Sequence, residues 1–294
     1  MQYDQSDLSF QREKKFRKHV FTIDSSFRNI NAYPTPTYYR IDLPTVYKQV
    51  RKVRLLTAEI PASFYVFTSA QNNTTLHIGI YDVTNTTPLT VQTITIPDGN
   101  YTATLLSSTL KSLLDANALF ISNGVTFTVS VNEATLCLQI SNSAGRKIYV
   151  DTTYTGTIPN SSYPSFIGWG FEYYLGFLPN TTTISSSGST PCISSRAIKL
   201  NPINYLLLDI PEINGMDEIQ RSTKSVFAKI QNNVNSFDVI MMDENNCCSY
   251  NLSDLNPFIA KLSTLTISWR FANMLPIDFN DMDHSFTMEI ECIE

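Results

Sequence analysis

The feature that most constrains the fold is an alternation of apolar and polar residues that proline and small polar residues interrupt. It is clearest at positions 19–61, where residues 20–24 and 38–43 alternate and a longer run after Pro44 ends at Pro61. Period-two alternation bounded by Pro, Asn and Ser is typical of half-buried antiparallel strands. These positions therefore predict three β segments of the kind that begin a β-sandwich.

The same alternation returns in the last third of the chain. Residues 205–210 are apolar enough to be covered on both faces of a sheet. A later strand is predicted to bury one face, which carries Leu265, Ile267, Trp269 and Phe271. Residues 286–292 repeat this pattern, so strands are expected near both ends of the sequence.

One helix and one hairpin interrupt the strand pattern. A helix is predicted at about 102–115, where leucines recur at three- and four-residue spacing. A hairpin is predicted over 125–140, with its turn at Asn132-Glu133. The predicted fold class is therefore all-β, an antiparallel β-sandwich with one amphipathic helix.

Composition excludes several functional classes. Charged residues make up 16% of the 294 positions, against roughly 25% in typical soluble domains. The net charge of −5 argues against nucleic-acid binding through global charge. Five cysteines lack framework spacing, so we interpret them as reduced thiols of a protein made in the cytosol. No signal peptide and no transmembrane segment is expected from the sequence.

The first 18 residues are predicted to form a basic arm. Five positive charges fall within seven positions, at Arg12, Lys14, Lys15, Arg17 and Lys18. The arm is either a solvated tail or a contact with another subunit. Polar termini become ordered only where something ties them down, and we favour the subunit contact. The domain is then expected to span residues 19–294.

A second basic cluster lies in the predicted strands, at Lys48, Arg51, Lys52 and Arg54. Lys52 and Arg54 should share one strand face, with Val53 on the opposite one. This face is either solvated or in contact with an acidic partner surface.

Residues 151–200 are predicted to be a long loop, because Thr, Ser, Pro and Gly are frequent there. The loop nevertheless contains an aromatic group, whose candidate interface members are Trp169, Phe171, Tyr173 and Tyr174. These rings need burial. The loop is therefore either a lid on the domain's own core or an aromatic anchor in a neighbour's pocket.

Several segments resemble one family of viral proteins. IDSSFRN, YPTPTYYRIDLP, VRKVRLLTAEIP and PDGNYTATLLSSTLKSLL occur in that order, followed by the tripeptide at 175–177 and by LTISWRF and FNDMDHSFTMEIE. Together they resemble the jelly-roll minor capsid and penton-type proteins of large icosahedral double-stranded DNA viruses. The resemblance implies a jelly-roll-like β-sandwich in the virion. It also implies contacts with the major capsid protein and other minor capsid proteins, and assembly as a homo-oligomer or within a larger shell. It leaves open a contact with an inner membrane.

No sequence motif indicates catalysis, a cofactor or a metal. The three histidines, His19, His77 and His284, lie outside any local metal-binding or nucleophile pattern. The acidic tract at 278–283 is interpreted as a turn, since Asp and Asn bond to their own backbone. An enzyme would need a histidine to meet an acid and a nucleophile in space.

We therefore expect a structural protein that cements or closes a shell and has no enzymatic role. The alternative is a lectin-like binding module on the virion surface, in which Trp169 and Tyr173 stack on host glycans or contact a receptor.

Overall fold

A computed structural model of the chain describes residues 15–153, 170–178, 181–213, 215–217, 225–243, 258–272 and 274–293. The chain divides into two compact units. Unit 1 combines Met1–Phe64 with Tyr205–Glu294, and unit 2 is Tyr65–Asn204.

Strands dominate both units. In chain order they are β1 (Phe16–Asp24), β2 (Tyr38–Pro61), β3 (Thr75–Ile80), β4 (Gln92–Thr95), β5 (Phe127–Val131), β6 (Cys137–Asn142), β7 (Ile148–Asp151), β8 (Thr182–Ile184), β9 (Cys192–Ala197), β10 (Tyr205–Asp209), β11 (Met216–Asp217), β12 (Ser225–Val226), β13 (Ala228–Gln231), β14 (Val239–Asp243), β15 (Ile259–Phe271) and β16 (Ser285–Ile293). The α-helices are α1 (Ala103–Asp115), α2 (Ala118–Ser122) and α3 (Gly170–Tyr174).

The main sheet of unit 1 is antiparallel with the order β1-β16-β2-β15-β10-β13, and β14 also pairs with β2. β11 and β12 form a separate two-stranded sheet. The first strand of the chain therefore pairs with the last, in the register Phe16↔Ile293 to Asp24↔Ser285. β2 is 24 residues long and pairs with three other strands, β14, β15 and β16. It is the strand that joins the N-terminal and C-terminal parts of the unit.

β2 runs through Pro44, where the sequence predicts a break. The pairing with β15 shifts at this point, because Asp42 lies opposite Thr264 and Tyr47 opposite Leu262. Four residues of β2 thus face the single residue Ser263. Proline lacks an N–H for the ladder and is tolerated at such irregularities. The strand therefore continues past the proline.

The buried faces of unit 1 follow the predicted alternation. Leu265, Ile267, Trp269 and Phe271 of β15 are buried, as are Phe286 and the other alternate apolar residues of β16. Positions 206–210 are all buried, which confirms that β10 is covered on both faces. The alternation thus located the core of this sheet correctly.

Unit 2 contains two smaller antiparallel sheets, β4-β3-β7-β8 and β5-β6-β9. The predicted helix is confirmed as α1, which begins after its N-cap Thr102. Its buried side chains are Leu106, Leu110 and Leu114, whereas Leu105 in the first turn is exposed. The predicted hairpin is confirmed as β5 paired with β6.

The predicted loop at 151–200 is more regular than its composition indicates. Its described parts contain α3, β8 and β9, and β9 extends the β5-β6 sheet. In β9 the buried residues Cys192 and Ser194 alternate with the exposed residues Ile193 and Ser195, so apolar and polar residues occur on both faces.

The predicted fold class is confirmed, since the chain is mostly antiparallel sheet with few helices and has a jelly-roll-like sandwich architecture. The division of the chain at residues 64/65 and 204/205 has no visible signal in the sequence. Residues 16–18, predicted to end the basic arm, belong to β1. That residues 19–294 act as one domain stays a prediction.

Replacement of Tyr39 by Phe is expected to raise the free energy of unfolding by about 1 kcal/mol. The Tyr39 hydroxyl is fully buried and has no hydrogen-bond partner among the described residues, so it carries a desolvation cost that the change removes. Tyr38→Phe, at the exposed neighbouring position, is the matched control and should change stability by less than about 0.5 kcal/mol. Urea unfolding measures both. A loss of stability in Tyr39→Phe would contradict the assignment.

Candidate functional site

The predicted interface residues fall into three groups. Lys15, Arg17 and Lys18 are exposed at the start of β1. Phe171, Tyr173 and Tyr174 lie in α3. The remaining three, Arg12, Lys14 and Trp169, lie outside the described residues.

Two of the predicted aromatic anchors are inside unit 2. Phe171 and Tyr174 are buried, and both rings make edge contacts with Phe67 at centroid distances of 5.4 and 5.6 Å. This corresponds to the lid interpretation for these two rings, because apolar rings stabilise most when their own core covers them. Neither ring is presented to a neighbour on the surface of this chain.

Tyr173 is partly exposed to solvent. Its hydroxyl accepts a hydrogen bond from Lys199 Nζ at 2.8 Å, and the same ammonium lies 4.4 Å from the ring centroid. This geometry is a cation–π contact. A role for Tyr173 in glycan stacking or in an interface stays a prediction.

The structure brings the two basic segments of the sequence together. Phe16 pairs with Ile293, the adjacent Cys292 pairs with Val50, and Val50 pairs with Ile259. One row of four strands, about 14 Å wide at the usual strand spacing, therefore joins the start of β1 to the middle of β2 and the start of β15. The residues here, called the basic cluster below, are Lys15, Arg17, Lys18, Lys48, Arg51, Lys52, Arg54 and Lys261.

Two acidic residues of β16 neutralise part of the basic cluster. Glu289 is largely buried, with Lys18 Nζ at 3.4 Å and Arg54 Nη1 at 3.7 Å from its Oε1 atom. Glu291 pairs in register with Lys18 and with Lys52. Arg51 lies over the Phe16 ring at 4.6 Å. The strands are thus tied by charge as well as by backbone hydrogen bonds.

The pair Lys48 and Lys261 is not neutralised in this way. The two lysines are directly opposite in the β2–β15 ladder and both are exposed. Directly opposed like charges destabilise a sheet, and within the described ranges neither lysine has an ion-pair partner. A binding partner that supplies acidic groups would remove this repulsion.

A second cluster joins the end of β1 to the start of β16 and contains the residue types of a hydrolytic site. Ser25 Oγ donates to Asp283 Oδ1 at 2.7 Å and accepts from the His284 backbone N–H at 2.9 Å. The His284 ring instead directs Nε2 to the Pro36 carbonyl oxygen at 3.0 Å. Since a carbonyl only accepts, Nε2 carries the proton and donates it. The ring does not act on Ser25, and the contacts fix two turns against each other.

Burial lowers the pKa of His284 to about 4, against partial opposition from the Pro36 hydrogen bond and the carboxylates of Asp283 and Asp24. Arg28 acts in the same direction as burial. The imidazole is therefore neutral at physiological pH, in contact with the rings of Trp269 and Phe279 at 5.0 and 5.3 Å.

Unit 2 carries an open groove of about 470 Å³ between α1 and the β5–β6 hairpin. Its walls are mainly Ala, Ser, Thr and Val, with Lys111 and Glu133 as charged members. No aromatic ring lies among these described lining residues.

His77 and Glu172 form a separate buried contact in unit 2. The Glu172 carboxylate accepts from the His77 backbone N–H and contacts its Nδ1, both at 2.7 Å. This pair joins β3 to α3. In the parts of the chain that the structure describes, no three His, Cys, Asp or Glu side chains converge as metal ligands. None of the described helices has the length and apolar character of a membrane span.

Lys261 and Glu289 are members of the site that sequence reasoning missed. Lys261 stands alone in a strand of mixed composition, and Glu289 alternates with apolar residues as any outward residue would. Only the pairing of the strands places Lys261 opposite Lys48, and Glu289 opposite Arg54 and 3.4 Å from Lys18.

Comparisons with known proteins place the chain in a family and a fold. A family model described as "Family of unknown function (DUF5901)" matches residues 9–243. The structure is similar to that of the mavirus penton protein, with a TM-score of 0.53 and 10% identity over 96% of this chain and 100% of the other. It is also similar to a chain of the Sputnik virophage, with a TM-score of 0.42 and 12% identity over 95% of this chain and 98% of that one. No curated protein sequence matches. The resemblance to penton-type proteins is thus confirmed at the level of fold.

Lys48→Glu is expected to stabilise the protein by about 0.2–1 kcal/mol, because it converts an opposed lysine pair into an opposite-charge pair. Chemical denaturation in low salt measures the change, and added salt should reduce it. Arg40→Glu is the control, since Arg40 lies on the same strand opposite the uncharged Thr266. Equal effects of the two changes would disprove the like-charge pair.

The stability of unit 1 is expected to fall as the pH drops from 7 to 5. The pKa of His284 is about 4 in the folded protein and about 6.5 when unfolded, so the unfolded chain binds more protons across this interval. His284 then accounts for a loss of about 2 kcal/mol at pH 5.

Urea unfolding at several pH values tests this dependence. His284→Gln should flatten the stability profile between pH 5 and 7, whereas His19→Gln should keep it because His284 is still present. An unchanged profile in His284→Gln would exclude His284 as its source.

Proposed function

This chain belongs to the family of unknown function DUF5901, and we propose that it is a structural capsid protein. In this proposal it is a penton-type or minor capsid subunit of a large double-stranded DNA virus, located in the virion. It closes or cements an icosahedral shell through protein–protein contacts and performs no catalysis.

The observation that carries the proposal is the shared fold with the mavirus penton protein, which extends over nearly the whole of both chains. A likeness of such extent leaves little of this chain for an added catalytic domain. The order of the sequence segments that resemble capsid proteins supports the same assignment.

The Ser25–His284–Asp283 contacts also support a structural role. They join the residue types of a hydrolytic site, but the imidazole faces the Pro36 carbonyl and the serine hydroxyl faces a carboxylate. A general base must instead be within reach of the proton that it removes. These contacts hold two turns together, as a rigid shell component requires.

The basic cluster is the proposed contact surface. It retains the unfavourable Lys48–Lys261 pair, and stability is commonly sacrificed at functional surfaces. The partner surface is accordingly acidic, on the major capsid protein, another minor capsid protein or another copy of this chain. The arm at residues 1–18, including Arg12 and Lys14, is proposed to extend the same contact.

Quantification of the chain in purified particles tests the proposal. The chain should be present at a fixed ratio to the major capsid protein. Its absence from particles, with accumulation elsewhere in the producing cell, would exclude a capsid role.

Lys48→Glu is expected to lower incorporation several-fold although it stabilises the fold, because it places a negative charge against an acidic partner. Arg40→Glu makes the same charge change on the same strand outside the basic cluster and should incorporate normally. Quantitative mass spectrometry of particles measures both. Normal incorporation of Lys48→Glu would remove the basic cluster from the interface.

A further inference from the structure

The loop between β1 and β2, residues 25–37 and called the Phe27 loop below, is fixed by a single arginine. Arg28 Nη1 donates to the Ser25 carbonyl at 2.9 Å and to Asp283 Oδ1 at 2.6 Å. Its Nε donates to the Tyr33 carbonyl at 3.0 Å and its Nη2 to the Pro34 carbonyl at 3.0 Å. Three of these four bonds go to backbone carbonyls of the loop, at residues 25, 33 and 34, and the fourth goes to Asp283 outside it. The Arg28 side chain is accordingly only 7% exposed.

Further hydrogen bonds tie the Phe27 loop to the residues before β16. The Ser25 backbone N–H donates to the His284 carbonyl at 2.9 Å, and Ser25 Oγ donates to Asp283. The Asp24 carboxylate caps the first turn by accepting from the Ser26 backbone N–H at 2.8 Å. The loop is therefore a rigid surface feature, although loops of this length are usually mobile.

This rigid loop holds large apolar side chains in solvent. Phe27 is 88% exposed and Ile30 is 59% exposed. Met282, which precedes Asp283 in the segment that Arg28 contacts, is 53% exposed. Single exposed apolar residues are common on protein surfaces, but here three Arg28 hydrogen bonds to backbone carbonyls fix the loop on either side of Phe27. An aromatic side chain on a fixed backbone loses less entropy on binding than one on a mobile loop, which is favourable for an interface anchor.

The charges at the start of the loop and in the segment that Arg28 contacts indicate what Phe27 binds. Asp278, Asp281 and Asp283 are exposed in the adjoining segment, and Asp24 precedes the loop. Arg28 is already engaged by Asp283. An acidic border of this kind repels the phosphates of nucleic acids and of anionic lipids. It is complementary to a protein surface that carries Lys or Arg.

We propose that Phe27 enters an apolar pocket on a different protein chain of the same shell, and that Lys or Arg side chains of that partner border the pocket and face Asp278 and Asp281. This inference rests on the proposed capsid function and adds a second surface to it, opposite in charge to the basic cluster. The partner is not a second copy of this chain. Its basic cluster carries the protruding side chains of Phe16 and Val20, whereas an anchor needs a recess.

Photo-crosslinking in assembled particles tests the proposal. p-Benzoylphenylalanine replaces Phe27 in one variant and Val83 in a control variant, since Val83 is an exposed apolar residue in another tight turn. After irradiation, mass spectrometry identifies the attached chain and the site. Position 27 should yield an adduct with a different capsid protein, in a segment where apolar residues are flanked by Lys or Arg. Position 83 should not yield that adduct.

Three substitutions test the physical basis of the proposed Phe27 anchor. Phe27→Ala should lower the number of copies per particle at least fivefold and leave the melting temperature of the isolated protein unchanged, because the ring is exposed. Arg28→Lys keeps the charge but loses the planar fork, so it should lower the adduct yield from position 27. Asp281→Lys should lower that yield through repulsion, and this effect should weaken at high salt.

The outcomes separate this inference from the capsid role itself. A chain that is present in particles without an adduct from position 27 would overturn the anchor and leave the capsid role intact. An adduct with another copy of this chain, with lipid or with nucleic acid would also overturn it. A chain that is absent from particles would overturn both.

Discussion

The pairing of the first strand with the last is the constraint on which unit 1 depends. β1 and β16 pair over nine residues each although about 270 positions separate them along the chain. β1 is an edge strand that pairs only with β16 among the described strands, and β16 in turn connects β1 to β2. The sheet therefore forms only when both parts of the chain are present, and long-range pairing of this kind makes folding slow.

The pairing of β1 with β16 also creates the two proposed contact surfaces. At one part of the sheet it brings the start of β1 beside the middle of β2, which collects the basic cluster. At the opposite end of β1 it brings Ser25 and Arg28 to Asp283, which fixes the Phe27 loop. Two surfaces of opposite charge thus result from one set of strand pairs, although the chain as a whole carries a net charge of only −5.

Buried polar groups specify the register in which β16 pairs with its neighbours. Glu289 is held between Lys18 and Arg54, and His284 is held neutral between aromatic rings. A shift of β16 by one residue would move each of these side chains to the opposite face of the sheet. The Glu289 carboxylate would then lie in the apolar core. Such groups add little to net stability, but they fix the register on which both surfaces depend.

The sequence by itself determined the elements of this fold, because period-two and 3.6-residue patterns are local properties. It located the buried faces of β15 and β16, helix α1 and the β5–β6 hairpin, and it identified Lys48 as a basic residue in the predicted strands, whereas it assigned Lys15 and Arg17 to an arm. Only the tertiary structure decided which strands pair. The Lys48–Lys261 contact, the burial of Phe171 and the arginine-bound Phe27 loop all depend on residues more than 100 positions apart or on core packing, and no local pattern encodes such distances.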